Sequence, residues 1–300
     1  KDASGSGESK AMGRYLEEEL TVPKGCMEIS SLQILEDGSM EMIAQNGDGV
    51  LCLYKSADQG ADWDEGVTLA SIFGLESSNG ELFYKTALGK DGSILGGVYV
   101  EAEDENGLGI MDYYYCPAGG EGRKLEFENA DGLAWGMKIG ANGNLFLQFS
   151  GNGIQEINPT DGSIVHEYEK GSSTDYMGVT SEYLIIVSAG EVYYYDVATG
   201  KPAEGGDVLT EQLKKTPSNL EFGNSSGTSL MFMDGDEEGT VFYVDSTGLY
   251  RYAFGGNVIE QVIDGSLNTI SSANKAFEDM VLGPDGKIYI AEIDYNSSTM

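Results

Sequence analysis

Histidine occurs once in this chain of 300 residues, and arginine three times. A His-based zinc site needs more imidazoles than His166 supplies, and a Ser-His-Asp triad would have to use a residue in an ordinary strand pattern, Ile164–Tyr168. The cysteines, Cys26, Cys52 and Cys116, are odd in number and lack metal-ligand spacing, so they form no disulfide framework. Cys52 and Cys116 lie in apolar strand patterns and read as buried thiols. No apolar run is long enough to be a membrane-spanning helix. Cations are also scarce. Lys+Arg 17 against Asp+Glu 50 leaves a formal charge of −33. Nucleic-acid binding needs a basic footprint and adsorption to an anionic bilayer needs a polybasic patch; neither is present. The acids are dispersed, which suits a solvated, soluble surface.

What is present is glycine, tyrosine and a repeat. Gly 43 is about twice the usual share. The glycines sit in turns between short apolar segments, and Tyr 18 adds strand-favouring aromatics. Five turns recur: Asp37-Gly38, Asp91-Gly92, Asn142-Gly143, Glu238-Gly239 and Asp285-Gly286. Each is followed by a second apolar segment, such as Ile94–Val100 or Leu145–Phe149. The steps between turns are about 47 to 54 residues, with one double gap that Ser181-Glu182 fills more weakly. Several strands per repeat of this length indicate an all-β fold, a β-propeller of four-stranded antiparallel blades.

Six blades are expected, with seven as the alternative count. Counting strands outward from the central channel, the first blade is Ser31–Leu35, Ser39–Gln45, Val50–Lys55 and Thr68–Phe73. The second is Glu81–Leu88, Ile94–Val100, Gly109–Cys116 and Lys124–Glu128. The third is Ala134–Ile139, Leu145–Ser150, Gly153–Asn158 and Ile164–Glu169. The fourth starts near Met177–Thr180 and continues through Tyr183–Ser188 and Glu191–Asp196. The fifth is Ser229–Asp234, Thr240–Asp245, Gly248–Phe254 and Ile259–Ile263, and the sixth retains Phe277–Leu282 and Lys287–Ile293. A ring must join its ends, and Tyr15–Val22 is assigned as the N-terminal strand that closes the last blade. Residues 1–13 form a Gly/Ser tether and 14–300 the propeller domain. The chain is read as a domain of a longer protein that has lost a targeting segment. Asp207–Lys215 carries helical spacing, acids early and lysines late, and replaces the outer strand of the fourth blade.

Three features bear on chemistry. Ser56-Ala57-Asp58-Gln59-Gly60-Ala61-Asp62-Trp63 resembles the Asp-box of sialidases and many non-enzymatic propellers, with Asp62 where that pattern has Thr. Its role is structural: Asp58 accepts from turn amides, Gly60 takes a left-handed backbone angle and Trp63 packs between sheets. A sialidase would need three arginines around a substrate carboxylate. Arg14, Arg123 and Arg251 are all there are, and none is on an inner strand. Plentiful acids leave a two-carboxylate glycosidase open, although no pair stands out. The second feature, Asp234-Gly235-Asp236-Glu237-Glu238-Gly239-Thr240, approximates the start of a calcium loop. Asp234, Asp236 and Glu238 would offer side-chain oxygens and Thr240 its carbonyl. The same residues also read as a solvated acidic hairpin. No other cofactor is implied. The third feature is Trp135, on an inner strand beside Asp131-Gly132, a ligand-facing aromatic. Tyr113–Tyr115 and Tyr193–Tyr195 alternate between strand faces and read mostly as core.

Together the Gly/Ser tether, the segment Glu8–Glu19 and the Asp-Gly strand repeats resemble one group of Gram-positive bacterial lipoproteins. In these a secreted propeller precedes the solute-binding domain of an ABC transporter. The resemblance implies an extracellular, cell-surface protein, attached to the membrane only through a lipid anchor upstream of residue 1; a monomer is expected. It also implies a C-terminal solute-binding domain or a glycan as partner. The expected function is a non-catalytic binding module associated with carbohydrate capture. The alternatives are a propeller-type glycosidase or a purely structural spacer.

Overall fold

The computed structural model describes residues 18, 20–75, 83–100, 110–127, 133–149, 153–168, 174–188, 191–204, 208–211, 232–236, 239–245, 248–256, 259–264 and 275–294. They form five four-stranded antiparallel sheets and one two-stranded sheet. The first sheet is β1 (Glu28–Ile34), β2 (Met40–Gln45), β3 (Leu51–Ser56) and β4 (Val67–Thr68). The second is β5 (Phe83–Leu88), β6 (Ile94–Val100), β7 (Ile110–Cys116) and β8 (Arg123–Lys124). The third is β9 (Ala134–Ile139), β10 (Leu145–Phe149), β11 (Gly153–Ile157) and β12 (Ile164–Tyr168). The fourth is β13 (Thr174–Val179), β14 (Tyr183–Ser188), β15 (Glu191–Asp196) and β16 (Lys201–Ala203). The fifth is β17 (Phe232–Gly235), β18 (Thr240–Asp245), β19 (Gly248–Ala253) and β20 (Ile259–Asp264), followed by the pair β21 (Lys275–Leu282) and β22 (Ile288–Asp294). The count corrects the expectation of six or seven blades. Among the described residues five blades are complete, and β21–β22 stands where the sixth was expected.

The chain divides into two compact units, one carrying the first three sheets and the other the last three. In each unit, apolar faces of consecutive sheets pack on one another, because a sheet with one face in water must bury the other. Ile43, Leu53, Leu88 and Ile94 join the first and second sheets. Met111, Tyr113, Leu145 and Phe149 join the second and third. Ile185, Val187, Tyr194, Val241 and Tyr243 join the fourth and fifth. Tyr113 and Tyr115 are buried while Tyr114 is half-buried, as alternation along β7 requires. Cys52 and Cys116 are buried free thiols, and Cys26 is a half-buried one.

The repeated turns show why the repeat was readable. In Leu35–Ser39, Gly89–Ser93 and Gly140–Asn144, the first amide donates to the fifth carbonyl and the Gly amide to the first carbonyl. The Asp or Asn oxygen accepts the amide two residues on, at 2.9–3.0 Å. The glycines of all five turns have φ from 75° to 86°, where a Cβ is strained. The weaker copy is a tighter hairpin. Thr180 donates its amide to the Tyr183 carbonyl, and its hydroxyl accepts the amides of Glu182 and Tyr183.

Three expectations about elements are corrected. Thr68–Phe73 is mostly helix, not strand. The Thr68 hydroxyl caps α1 (Leu69–Phe73) by accepting the Ser71 amide at 3.2 Å, and left-handed Gly74 ends it. The fourth blade keeps its outer strand, β16, and a helical turn at 208–211 follows it, with Leu209 fully buried among the side chains joining the fourth and fifth sheets. The Thr210 hydroxyl accepts the Val192 amide, which fixes the turn on β15. Finally, no described residue of Tyr15–Val22 is in a strand. Thr21 instead leans on the β3–β4 turn: its hydroxyl donates to the Gly60 carbonyl and its carbonyl accepts the Trp63 indole N–H. Both are polar groups of that turn, and the incoming chain satisfies them.

Candidate functional site

Register singles out one position in the repeat. Opposite β2, Ile29 and Ser31 pair with the consecutive residues Ala44 and Ile43, so Ser30 is the extra residue of a bulge. Tyr84 is extra on β5, Trp135 on β9, Asp175 on β13 and Glu278 on β21. A bulge leaves its residue out of the ladder and re-aims its side chain. These are all first strands, and first strands touch one another: β1 with β5 and β5 with β9 in one unit, β13 with β17 and β17 with β21 in the other.

On β5 and β9 the bulges present two large aromatics to solvent. Tyr84 is 43% exposed and Trp135 50%, more than a buried scaffold would leave open. Their rings meet edge to face, with centroids 6.3 Å apart and planes at 79°. The Tyr113 hydroxyl, from the buried face of β7, accepts the Ala134 amide at 3.0 Å and so steadies the backbone just before Trp135. Between β1 and β5, the Thr86 hydroxyl lies 2.8 Å from both the Ser30 and Ser31 hydroxyls, and Thr86 and Ser31 are buried. Lys85 follows Tyr84 on β5 and Lys138 follows on β9. Lys85 is an exposed residue, yet partial desolvation of its ammonium and then the charge of Lys138 lower its pKa from the ordinary lysine value. Trp135 lies on a first strand and is open to solvent; its neighbour Tyr84 and the two lysines were not singled out in the sequence. A one-residue bulge is invisible in one strand read alone, so the sequence held no clear signal for them.

A second constellation was also missed. Glu156 on β11 is almost fully enclosed, its side chain 1% exposed. One carboxylate oxygen accepts from Asn142 at 2.9 Å and Asn144 at 2.6 Å. The other lies 2.9 Å from His166 Nδ1 and accepts from the Tyr168 hydroxyl at 2.7 Å. Burial works against its charged form, but the bonds from Asn144, His166, Tyr168 and Asn142 outweigh burial and hold the carboxyl below its ordinary range. So enclosed a carboxylate cannot meet a substrate. His166, read as an ordinary strand residue, is one of four partners that hold it.

The remaining expected sites separate. Ser56, Asp58, Gly60 and Trp63 lie between the third and fourth strands, as expected. Ser56 Oγ donates to Asp58 at 2.8 Å and accepts the Gly60 amide at 2.8 Å, and Asp58 accepts the Asp62 amide at 2.9 Å. Trp63 is half-buried and anchored to Thr21. In the acidic hairpin, Asp234 accepts the Gly235 amide at 2.8 Å and the Leu282 amide at 2.7 Å. Asp236 accepts the Thr240 amide, and the Thr240 carbonyl accepts the Asp236 amide. Glu238 lies outside the described residues. Among the described residues no three His, Cys, Asp or Glu side chains group as metal ligands. Arg123 donates to the Pro159 carbonyl and Arg251 pairs with Glu260 at 3.3 Å, while Arg14 lies outside the described residues. No helix among the described residues is long and apolar enough to cross a membrane.

Repeated four-stranded meanders whose first strands touch define the class: an all-β propeller of antiparallel blades. Solved propellers are similar to it in fold. YCF48 bound to D1 peptide aligns with TM-score 0.55 at 13% identity, over 93% of this chain and 93% of that one. Virginiamycin B lyase from Staphylococcus aureus, inactivated and bound to quinupristin, gives TM-score 0.52 at 14% identity, over 94% and 89%. YCF48 from Cyanidioschyzon merolae gives 0.51 at 11%, over 93% and 96%. No family model matches the chain, and no curated protein matches it.

Proposed function

We propose that the chain is a non-catalytic binding module that takes a sugar on the Tyr84–Trp135 surface. One observation carries this reading: two exposed aromatic rings, put side by side by bulges on neighbouring first strands. The C–H face of a pyranose packs on such a ring and its hydroxyls remain free to bond polar groups at the edge of the surface. Among the described residues no nucleophile–base pair accompanies the rings, which favours capture over turnover. The YCF48 and lyase structures with a peptide and an antibiotic bound support the propeller as a frame for capture and leave the ligand open. The Ser56–Trp63 turn serves as a structural Asp-box. On the cell surface, held by a lipid anchor and joined to a solute-binding domain, the module would concentrate carbohydrate for import.

The test is an oligosaccharide array followed by titration under tryptophan fluorescence, in a Trp63→Phe background that leaves Trp135 as the only reporter. Trp135→Ala is expected to weaken binding at least about tenfold, the loss of a central aromatic anchor. An array without a binder, or binding that survives Trp135→Ala unchanged, refutes the proposal.

A further inference from the structure

The two exposed rings do not lie flat beside each other. Tyr84 and Trp135 meet at 79° with centroids 6.3 Å apart, so one ring turns its edge toward the face of the other. Rings set this way make a corner, with a floor and a wall, and not a level platform. The backbone just before each ring is pinned by the core. Phe83, which precedes Tyr84, packs on Phe73 with centroids 5.8 Å apart, in space that a Cβ at Gly96 would take from both rings. The Ala134 amide, which precedes Trp135, is held by the phenol of buried Tyr113. Toward β1 the row of rings ends. The bulged residue there, Ser30, is a hydroxyl bonded to Thr86 and adds no third aromatic.

We infer that this surface takes a single sugar ring at the end of a chain. The terminal pyranose lays its C–H face on Trp135, the more exposed of the two rings, and Tyr84 stands across the path of a further residue. The inference rests on the sugar-binding reading above and narrows it to chain ends: monosaccharides, short oligosaccharides and the termini of longer glycans. An extended polysaccharide lies along rings that face the same way, each stacking one residue. Two rings near a right angle offer a chain no such track. Residues beyond the first then add little, because affinity follows the central anchor and not the area covered. Tyr84 becomes the residue that sets specificity. Removing it opens the corner and lets internal residues of a chain reach Trp135.

The test is calorimetric titration of the whole chain with linear malto-, cello-, manno- and galacto-oligosaccharides, from monosaccharide to hexasaccharide. In any series that binds, Kd is expected to stay within about threefold from disaccharide to hexasaccharide. Where maltohexaose binds, α-cyclodextrin, the same sugar closed into a ring without ends, should bind at least about tenfold more weakly. Tyr84→Ala should make affinity climb with chain length by more than about threefold, whereas Tyr84→Phe keeps the wall and should behave as wild type. A climb of more than about threefold in the wild type, or α-cyclodextrin binding as well as maltohexaose, overturns the inference while the sugar-binding reading stands. So does a Tyr84→Ala protein whose affinity still ignores chain length. If no series binds, the inference falls; if the oligosaccharide array is silent too, the sugar-binding reading falls with it. Circular dichroism and melting temperature confirm that each variant is folded.

Discussion

Glu156 offers the most quantitative test of the packing argument. Its carboxylate has four partners and almost no water. Glu156→Ala removes the shared acceptor and leaves two amides, a phenol and an imidazole facing a cavity. Breaking a buried charged cluster from one side costs about 3–5 kcal/mol. At about 2–4 °C per kcal/mol for a large domain, the melting temperature should fall by about 6–20 °C. Glu156→Gln is gentler. Its carbonyl can still accept from Asn142 and Asn144, and its NH2 can donate to the Tyr168 hydroxyl and a neutral His166, so about 1–2 kcal/mol is lost. The pH dependence has a defined sign. The folded carboxyl titrates below its ordinary range, so its contribution is complete above that range and disappears as pH falls through the folded value. The wild-type advantage over Glu156→Gln should therefore shrink on acidification. Differential scanning calorimetry of the three proteins between neutral and acid pH measures it. A drop of less than about 2 °C for Glu156→Ala, well under the loss of one net bond, refutes the reasoning; so does a gap to Glu156→Gln that does not change with pH.

Other outcomes follow from particular contacts. A Cβ at Gly162 would intrude on the Glu126 carbonyl, and φ is +74°, so Gly162→Ala should cost about 2–4 kcal/mol in urea denaturation. Thr68→Ala removes the cap of α1 and should cost about 1 kcal/mol, with Thr68→Ser nearly neutral. Since Asp234, Asp236 and the Thr240 carbonyl already hold main-chain amides, EDTA should leave the melting temperature unchanged. A drop of several degrees, reversed by calcium, would restore the calcium-loop reading.

The blade frame was legible because it rests on local chemistry. Asp-Gly and Asn-Gly turns announce themselves in two residues, and the strands beside them alternate. Most strand limits therefore lie within three residues of their expected positions. The outer strands were less legible. Thr68–Phe73 alternates well enough for a strand, yet the Thr68 cap and Gly74 terminate a helix over the same residues. The described residues of the expected closing strand, Glu18 and Leu20–Val22, are not in a strand for a different reason: strand pairing depends on a distant edge, and the Gly60 and Trp63 groups that hold Thr21 are remote in sequence. The candidate site was least legible. Trp135 could be nominated by its type, whereas Tyr84, Lys85 and Lys138 acquire meaning only when β5 and β9 lie together. Glu156 and His166 are ten residues apart on consecutive strands, and only the register of β11 with β12 makes them partners.

The register shifts have a consequence for engineering. A residue outside the ladder has no cross-strand partner whose size or charge it must match, so blade folding places little demand on its identity. Here that freedom recurs at residues 30, 84, 135, 175 and 278, occupied by a hydroxyl, two aromatics and two acids. Randomising these five positions together would give a combinatorial library on a constant frame, in which specificity is rewritten one blade at a time.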